Sequence, residues 1–200
     1  MRPGTILAAA GLLMAISFPL HAQQQAPKFE LAGTYSYMRL NLDGPGNYSE
    51  GLQSNGGTGS VTYNLTPMIG LVGELGDYET STVRSAGGAS MTYVSYLFGP
   101  RLSLRKNSMI TPYVQTLFGG VKGSNSFSVT GPTGASGVIH TDQNAFAWTV
   151  GGGLDAMVNK HLSVRVFQAE YFLTKWPDGA NDRQSSFRLE TGLVFTFGRK

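Results

Sequence analysis

The chain has 200 residues, a formal net charge of +3, only 14% charged residues, 27 glycines and no cysteine. One ordinary domain fits that length, and the missing cysteine excludes a disulfide-stapled scaffold and Cys-ligated zinc or iron–sulfur centres. Charges are too few for a soluble surface and polar residues too many for an oily core; without a Lys/Arg run no nucleic-acid partner is expected, which leaves apolar residues facing lipid.

The N-terminus reads as a secretory signal peptide over residues 1–22. Arg2 supplies the charge, Ile6 to Ile16 form an apolar core, and Ala22 ends it on a small residue before Gln23. The apolar run is shorter than the ~20 residues that span a bilayer, and Pro19 breaks it, which argues against an anchor helix. Residues 23–28 are then a short periplasmic segment.

From Phe29 onward the signal is period two. Phe29, Leu31, Gly33, Tyr35 and Tyr37 share one face, and Glu30, Ala32, Thr34, Ser36 and Met38 the other. An Asn/Gly/Ser loop from about Leu40 to Asn55 precedes a second strand, Gly57 to Leu65, which stops at a tight turn through Pro67. The third strand, Met68 to Tyr78, sets Ile69, Leu71, Gly73 and Leu75 against Glu74 and Gly76. After a loop from Glu79 to Ala89, the fourth, Met91 to Ser103, sets Tyr96, Phe98, Pro100 and Leu102 against Ser95, Leu97, Gly99 and Arg101.

The polar stretch Arg105 to Ser108 turns into a fifth strand, Ile110 to Lys122. Residues 123–143, rich in Gly, Ser and Thr, are expected to be a loop. In the sixth strand Phe146, Trp148, Val150, Gly152, Leu154 and Ala156 oppose Ala147, Thr149, Gly151, Gly153 and Asp155. Asn159 to His161 turn into the seventh, Leu162 to Leu173. A loop from Lys175 to Asp182 leads to the last, where Phe187, Leu189, Thr191, Leu193, Phe195 and Phe197 oppose Ser186, Arg188, Glu190, Gly192, Val194 and Thr196.

Eight strands of about 9–13 residues alternate long and short connections, the pattern of a transmembrane β-barrel with external loops and tight periplasmic turns. The predicted fold is all-β: a closed eight-stranded antiparallel up-and-down barrel over residues 29–198, followed by the tail 199–200. Aromatic girdles are expected at the two interfaces. One holds Tyr35, Tyr37, Tyr78, Tyr93, Phe118, Phe146, Trp148, Phe172 and Phe187 at the long-loop end. The other holds Phe29, Tyr63, Phe98, Phe195 and Phe197 at the short-turn end.

By the same alternation Glu30, Glu74, Arg101, Asp155, Glu170, Arg188 and Glu190 point inward, with Thr34, Ser36, Gln115, Thr149 and Gln168. In so narrow a barrel these charges must pair. Either they form a salt-bridged structural core or they line a narrow, gated ion pathway. Regular parity would turn Arg165 outward, where it could snorkel to headgroups, unless a bulge resets the register.

Catalysis has weak support. His161 belongs to a turn, and a Ser/His/Asp set around His140 and Asp142 with Ser124, Ser126, Ser128 and Ser136 has no spacing that fixes its geometry. Asp178, Asn181 and Asp182 read as a polar loop before they read as a calcium site. Gly151 to Gly153 precede no helix, so they allow close strand packing and do not cradle phosphate. No enzyme activity, cofactor or metal is expected.

The segments Tyr96-Leu97-Phe98-Gly99-Pro100-Arg101-Leu102, Thr111-Pro112-Tyr113-Val114-Gln115, Gly151-Gly152-Gly153-Leu154-Asp155, Arg165 to Phe172 and Thr191 to Gly198 carry a family resemblance. Together they resemble the small outer-membrane β-barrel family, with the fold of the OmpA transmembrane domain, as found in Acidobacteria-like bacteria. The resemblance covers essentially all of the mature chain, and its motifs are structural. It implies an integral protein of the Gram-negative outer membrane with periplasmic termini. The assembly machinery would read the C-terminal strand, although Gly198-Arg199-Lys200 follow Phe197 where many relatives end on the aromatic. No peptidoglycan-binding domain is expected after the barrel, so cell-wall tethering is not carried over. The expected role is structural or interactive, as a monomer in outer-membrane lipid, with external loops carrying Tyr48, Tyr78 and Trp176 open to partners. A narrow small-solute or ion pore is the alternative, and a lipid-modifying enzyme the more distant one.

Overall fold

Segments with one apolar and one polar face have no stable place in lipid as an open sheet, because each edge would leave a row of backbone groups unpaired. Closure removes both edges. The structure, a computed structural model, describes residues 26–41, 52–80, 90–105, 109–130, 136–175 and 184–198. The signal peptide 1–22, the tail 199–200 and the loop residues Tyr48, Trp176, Asp178, Asn181 and Asp182 lie outside the described residues.

The strands are β1 (Phe29–Asn41), β2 (Leu52–Asn64), β3 (Ile69–Thr80), β4 (Ser90–Ser103), β5 (Ile110–Thr130), β6 (Ser136–Met157), β7 (Leu162–Lys175) and β8 (Gln184–Phe197). Each pairs antiparallel with its chain neighbour, and β1 closes the barrel on β8, with Phe29 opposite both Tyr63 and Phe197. The short turns are fixed by side chains. Thr66 Oγ1 accepts the Ile69 amide at 2.9 Å, and Asn159 Oδ1 accepts those of His161 and Leu162 at 2.8 and 2.9 Å, replacing ladder bonds lost at the bend. The seam ends at Gly198, whose φ of 73° lies in the left-handed region and whose missing Cβ leaves room for Lys28.

The protein is inverted relative to a soluble one. Leu75 and Phe98 are 65% and 69% exposed on the outer wall, whereas Arg101 and Arg188 are 1% and 0% exposed inside. Phe29, Tyr35, Phe146, Phe187, Phe195 and Phe197 are exposed outside, while Tyr37 and Trp148 are half-buried on the same face.

Several expectations need correction. Tyr78 and Phe172, placed in the external girdle, are inside and buried. Tyr93 joins them, stacked on Tyr78 with ring centroids 5.2 Å apart. Each follows the parity of a charged or polar residue on its own strand: Tyr78 that of Glu74, Tyr93 that of Ser95, Phe172 that of Glu170. Phe98 and Phe118, assigned to opposite ends, are register partners, and Phe118 stacks in turn on Trp148, its partner on β6. The second strand begins at Leu52, five residues before the expected start at Gly57.

Residues 123–143, read as a loop, mostly continue the sheet. Backbone pairing runs from Gly123↔Gln143 to Thr130↔Ser136; β7 leaves β6 at Phe146↔Lys175, β4 stays paired with β5 as far as Ser90↔Ser126, and β5 and β6 run on as a two-stranded ribbon from Phe127↔Ile139 to Thr130↔Ser136. Gly/Ser/Thr composition signals a loop only until a partner strand supplies hydrogen bonds. The side chains proposed for the Ser/His/Asp set around His140 lie outside the described residues.

The register of β7 shifts between Arg165 and Gln168 relative to β8. Val166 and Phe167 therefore both face outward, and Arg165 turns in to 1% exposure. Thr191 Oγ1 donates to the Arg165 carbonyl at 2.9 Å, holding a carbonyl at the edge of the bulge. This resolves the position of Arg165 in favour of the bulge.

Candidate functional site

All seven residues expected to form the interior charge cluster are buried: Glu30, Glu74, Arg101, Asp155, Glu170, Arg188 and Glu190. The strands contribute them at alternate positions, so no loop is needed to aim them. Neighbouring side chains join them into one network with members from all eight strands.

Arg188 on β8 is its hub. Nε donates to Glu170 Oε2 at 2.9 Å and lies 3.2 Å from Glu190 Oε1, Nη1 donates to Tyr78 Oη at 2.6 Å, and Nη2 donates to Glu74 Oε1 at 2.7 Å and also to Glu170. The Phe172 ring lies 5.4 Å from the guanidinium carbon. The link from β8 to Glu74 and Tyr78 on β3 crosses the lumen, since those strands are not neighbours in the sheet. Glu190 accepts from Thr58 Oγ1 at 3.0 Å, Thr34 Oγ1 at 3.3 Å and Gln168 Nε2 at 2.9 Å, and the two threonine hydroxyls contact each other.

A second centre lies nearer the short turns. Arg165 holds Asp155 with Nε at 2.9 Å and Nη2 at 3.2 Å, a two-point grip that depends on the β7 bulge. Arg101 and Arg165 both lie against the Tyr113 ring, their guanidinium carbons 4.3 and 5.0 Å from its centroid. Arg101 Nε donates to Gln115 Oε1 at 2.8 Å, and Gln115 Nε2 donates to Glu170 Oε1 at 2.6 Å, which joins the two centres. At the short-turn rim, Arg105 and Asn64 Nδ2 both donate to Glu30. The Ser36, Ser95 and Thr149 hydroxyls and Arg101 Nη2 are buried without a hydrogen bond to the described protein.

Sequence reasoning missed Tyr113, Tyr78, Asn64 and Arg105. Parity with Gln115 and Glu74 would have found the two tyrosines. Arg105 carried no such signal, because it sits after the last residue of β4 and reaches back into the lumen.

Tyr113 offers a direct check. Its hydroxyl donates to Gln168 Oε1 at 2.6 Å, but that oxygen also accepts Arg165 Nη1 at 2.9 Å, so it keeps a partner when the hydroxyl is removed. Tyr113→Phe is expected to lower stability by about 1 kcal/mol. Tyr113→Leu, which also removes the ring between two cations, is expected to cost at least another ~1 kcal/mol. Equilibrium urea unfolding in detergent would measure both.

A buried apolar cluster interleaves with the charged centres and extends toward the long connections: Met38, Val72, Tyr78, Leu97, Leu117, Val121, Ala147 and Phe172, against which Tyr93 packs, with Leu97 level with Glu74 in the register. Arg188 lies where the two meet, bonded to Tyr78 and beside Phe172. Among the described residues no group of three or more His, Cys, Asp or Glu side chains is placed to hold a metal ion. Each interior carboxylate accepts at least one donor. The arrangement can tie strands together across the lumen and fill it.

Residues 8–195 match the family described as outer membrane protein beta-barrel domain. No curated protein sequence matches. Among solved structures, the chain is similar to Ail, the attachment invasion locus protein of Yersinia pestis, at 17% identity and a TM-score of 0.55, covering 85% of this chain and 99% of that one. It is similar to Neisserial surface protein A at 13% identity and a TM-score of 0.61, covering 85% and 97%. It also resembles the outer membrane protein OprG from Pseudomonas aeruginosa at 14% identity and a TM-score of 0.51, covering 86% and 97%.

Proposed function

The chain belongs to the outer membrane protein beta-barrel domain family, which makes it an integral protein of the Gram-negative outer membrane, and from that premise we propose a closed barrel with a structural and interaction role. The observation that carries this is the filling of the lumen. Buried charges bonded across it from β8 to β3, with a buried apolar cluster packed among and beyond them, leave the chain to act through the surfaces outside the wall. One such surface is the extension of β5 and β6 beyond the point where β7 ends at Phe146↔Lys175.

In this reading the signal peptide is removed and both termini face the periplasm. The short turns lie on that side, and the long connections and the ribbon project from the cell. The protein is a monomer in outer-membrane lipid, and the assembly machinery engages β8 through outward-facing Phe195 and Phe197. It needs no cofactor and catalyses no reaction, since its interior carboxylates serve as acceptors in a structural network. The similar Yersinia pestis barrel is named for attachment and invasion, a role served from outside a barrel wall.

Planar-bilayer recording tests the closed lumen against the pore. The refolded wild-type chain is expected to give no unit conductance steps. Steady conductance that changes with Arg188→Ala or Glu170→Ala would establish a solute pathway through the network and overturn the proposal.

A further inference from the structure

Among the described residues four guanidiniums reach the lumen, and three of them gather toward the short-turn end. There Arg101, Arg105 and Arg165 meet two carboxylates, Glu30 and Asp155, so one positive charge has no carboxylate of its own. The shortfall falls on Arg101. Arg165 donates from all three of its nitrogens, twice to Asp155 and once to Gln168, and Arg188 likewise to Glu170, Tyr78 and Glu74. Arg105 shares Glu30 Oε1 with Asn64. Arg101 donates from Nε to Gln115 Oε1 at 2.8 Å and holds Nη1 3.8 Å from Glu30 Oε2, but its Nη2 is buried with no hydrogen bond to the described protein.

The flanking strands offer Nη2 no acceptor at that level. The register partner of Arg101 on β3 is Gly70, which has no side chain, and its partner on β5 is Gln115, whose side-chain oxygen is taken by Nε. Arg165 stands against the same Tyr113 ring as Arg101, their guanidinium carbons 5.0 and 4.3 Å from its centroid, so a second cation adds to the local positive field. The carboxylates around Arg188 lie on the other side of Gln115, which turns its oxygen to Arg101 and its amide nitrogen to Glu170. Arg101, 1% exposed, is thus a buried cation whose one short hydrogen bond goes to a neutral amide.

We infer that Arg101 Nη2 holds a small monovalent anion, of halide size, at the short-turn end of the lumen, with Arg165 as the second cation of the site. A buried charge without a counter-charge is costly, and a water molecule supplies an acceptor but no charge. Chloride supplies both, and it brings the three guanidiniums into balance with Glu30 and Asp155. A narrow eight-stranded interior, mostly filled by side chains, favours a single-atom ion over a polyatomic one. Arg101 is two residues from the end of β4, so the ion enters through the short-turn mouth, past Arg105. The site deepens the closed-lumen reading and rests on it: the ion is a fixed part of the filling.

The test uses the full mature chain refolded in detergent, with bromide and chloride as probes. Crystals grown in sodium bromide and measured at the bromine absorption edge are expected to show an anomalous peak within hydrogen-bonding reach of Arg101 Nη2. In solution, replacing sodium gluconate by sodium chloride at equal ionic strength, with chloride at about ten times its dissociation constant, should lower the unfolding equilibrium constant of wild type roughly tenfold. Arg101→Gln should lose that dependence, whereas Lys160→Gln, which removes an exposed cation at the same end, should keep it. Heat-modifiable migration verifies that both variants are folded, and the two wild-type measurements decide the matter even if Arg101→Gln is not. Water density without an anomalous peak at Nη2, bromide on the exterior alone, equal stability of wild type in the two salts, or chloride dependence retained by Arg101→Gln overturns the proposal. Conductance steps in a planar bilayer overturn closure and leave the bromide peak in place, whereas a missing peak in a non-conducting chain overturns the site alone.

Discussion

Arg188→Met should destabilise the barrel by about 3–5 kcal/mol, the cost of leaving a buried ionic cluster without one of its charges. The guanidinium is fully buried and faces Glu74, Glu170 and Glu190. Methionine of similar reach fills the space without donating, so carboxylates lose charge-assisted bonds in a site from which bulk water is excluded. Glu190 retains Thr34, Thr58 and Gln168, and Glu170 retains Gln115, whereas Glu74 loses the only donor seen for it among the described residues. Most of the penalty should therefore lie in Glu74. Glu74→Gln in the Arg188→Met background should recover part of it, with a coupling energy between the two sites of roughly 1–3 kcal/mol. Urea unfolding in detergent, followed by tryptophan fluorescence, measures each member of the cycle. A single variant within about 1 kcal/mol of wild type would show that the network contributes little to holding the barrel.

Gly151→Val should be comparably damaging for a steric reason. Gly151 lies inside β6, with Gln115 opposite on β5 and Glu170 opposite on β7. A Cβ there would stand 2.2 Å from the Ala169 carbonyl oxygen and 2.6 Å from Glu170 Cγ. The carbonyl is backbone and cannot rotate aside, so β7 must move and take Glu170 away from Arg188. Overpacking ordinarily costs about 1–3 kcal/mol, and the lost charge-assisted bond places this variant at or above that range. Gly59→Val is the control. Gly59 faces outward on β2, and a Cβ added to it would meet no atom within 4 Å, so a β-branched side chain there should leave stability unchanged or raise it slightly. Equal loss in the two variants would mean that glycine is needed for backbone freedom throughout the wall and not for packing inside it.

Much of the site was legible because a strand has period two. Once Glu30, Glu74, Glu170 and Arg188 are placed on the face opposite Leu31, Leu75, Tyr171 and Leu189, closure turns them all inward together. The same rule would have placed Tyr78 and Phe172, four and two residues along from acidic neighbours, had aromatic identity near a strand end not been given more weight than parity. Arg165 is different in kind. Val166 and Phe167 are both apolar and both suit lipid, so nothing local marks the bulge; it is visible only where β7 meets β8 and where Arg165 meets Asp155.

Alternation, strand length, Gly/Ser-rich connections and the shortage of charge were enough to determine the all-β class, the eight strands, the apolar wall and the seven interior charges that follow regular parity, but not Arg165 or Arg105. Tertiary structure decided which charges meet, how β7 slips by one residue, and how far the β5–β6 ribbon continues beyond its expected end at Lys122. The division follows from range. Which face a side chain takes is a property of its own strand, whereas pairing, bulges and hairpin length depend on hydrogen bonds with residues far away in sequence, as between Arg188 and Glu74.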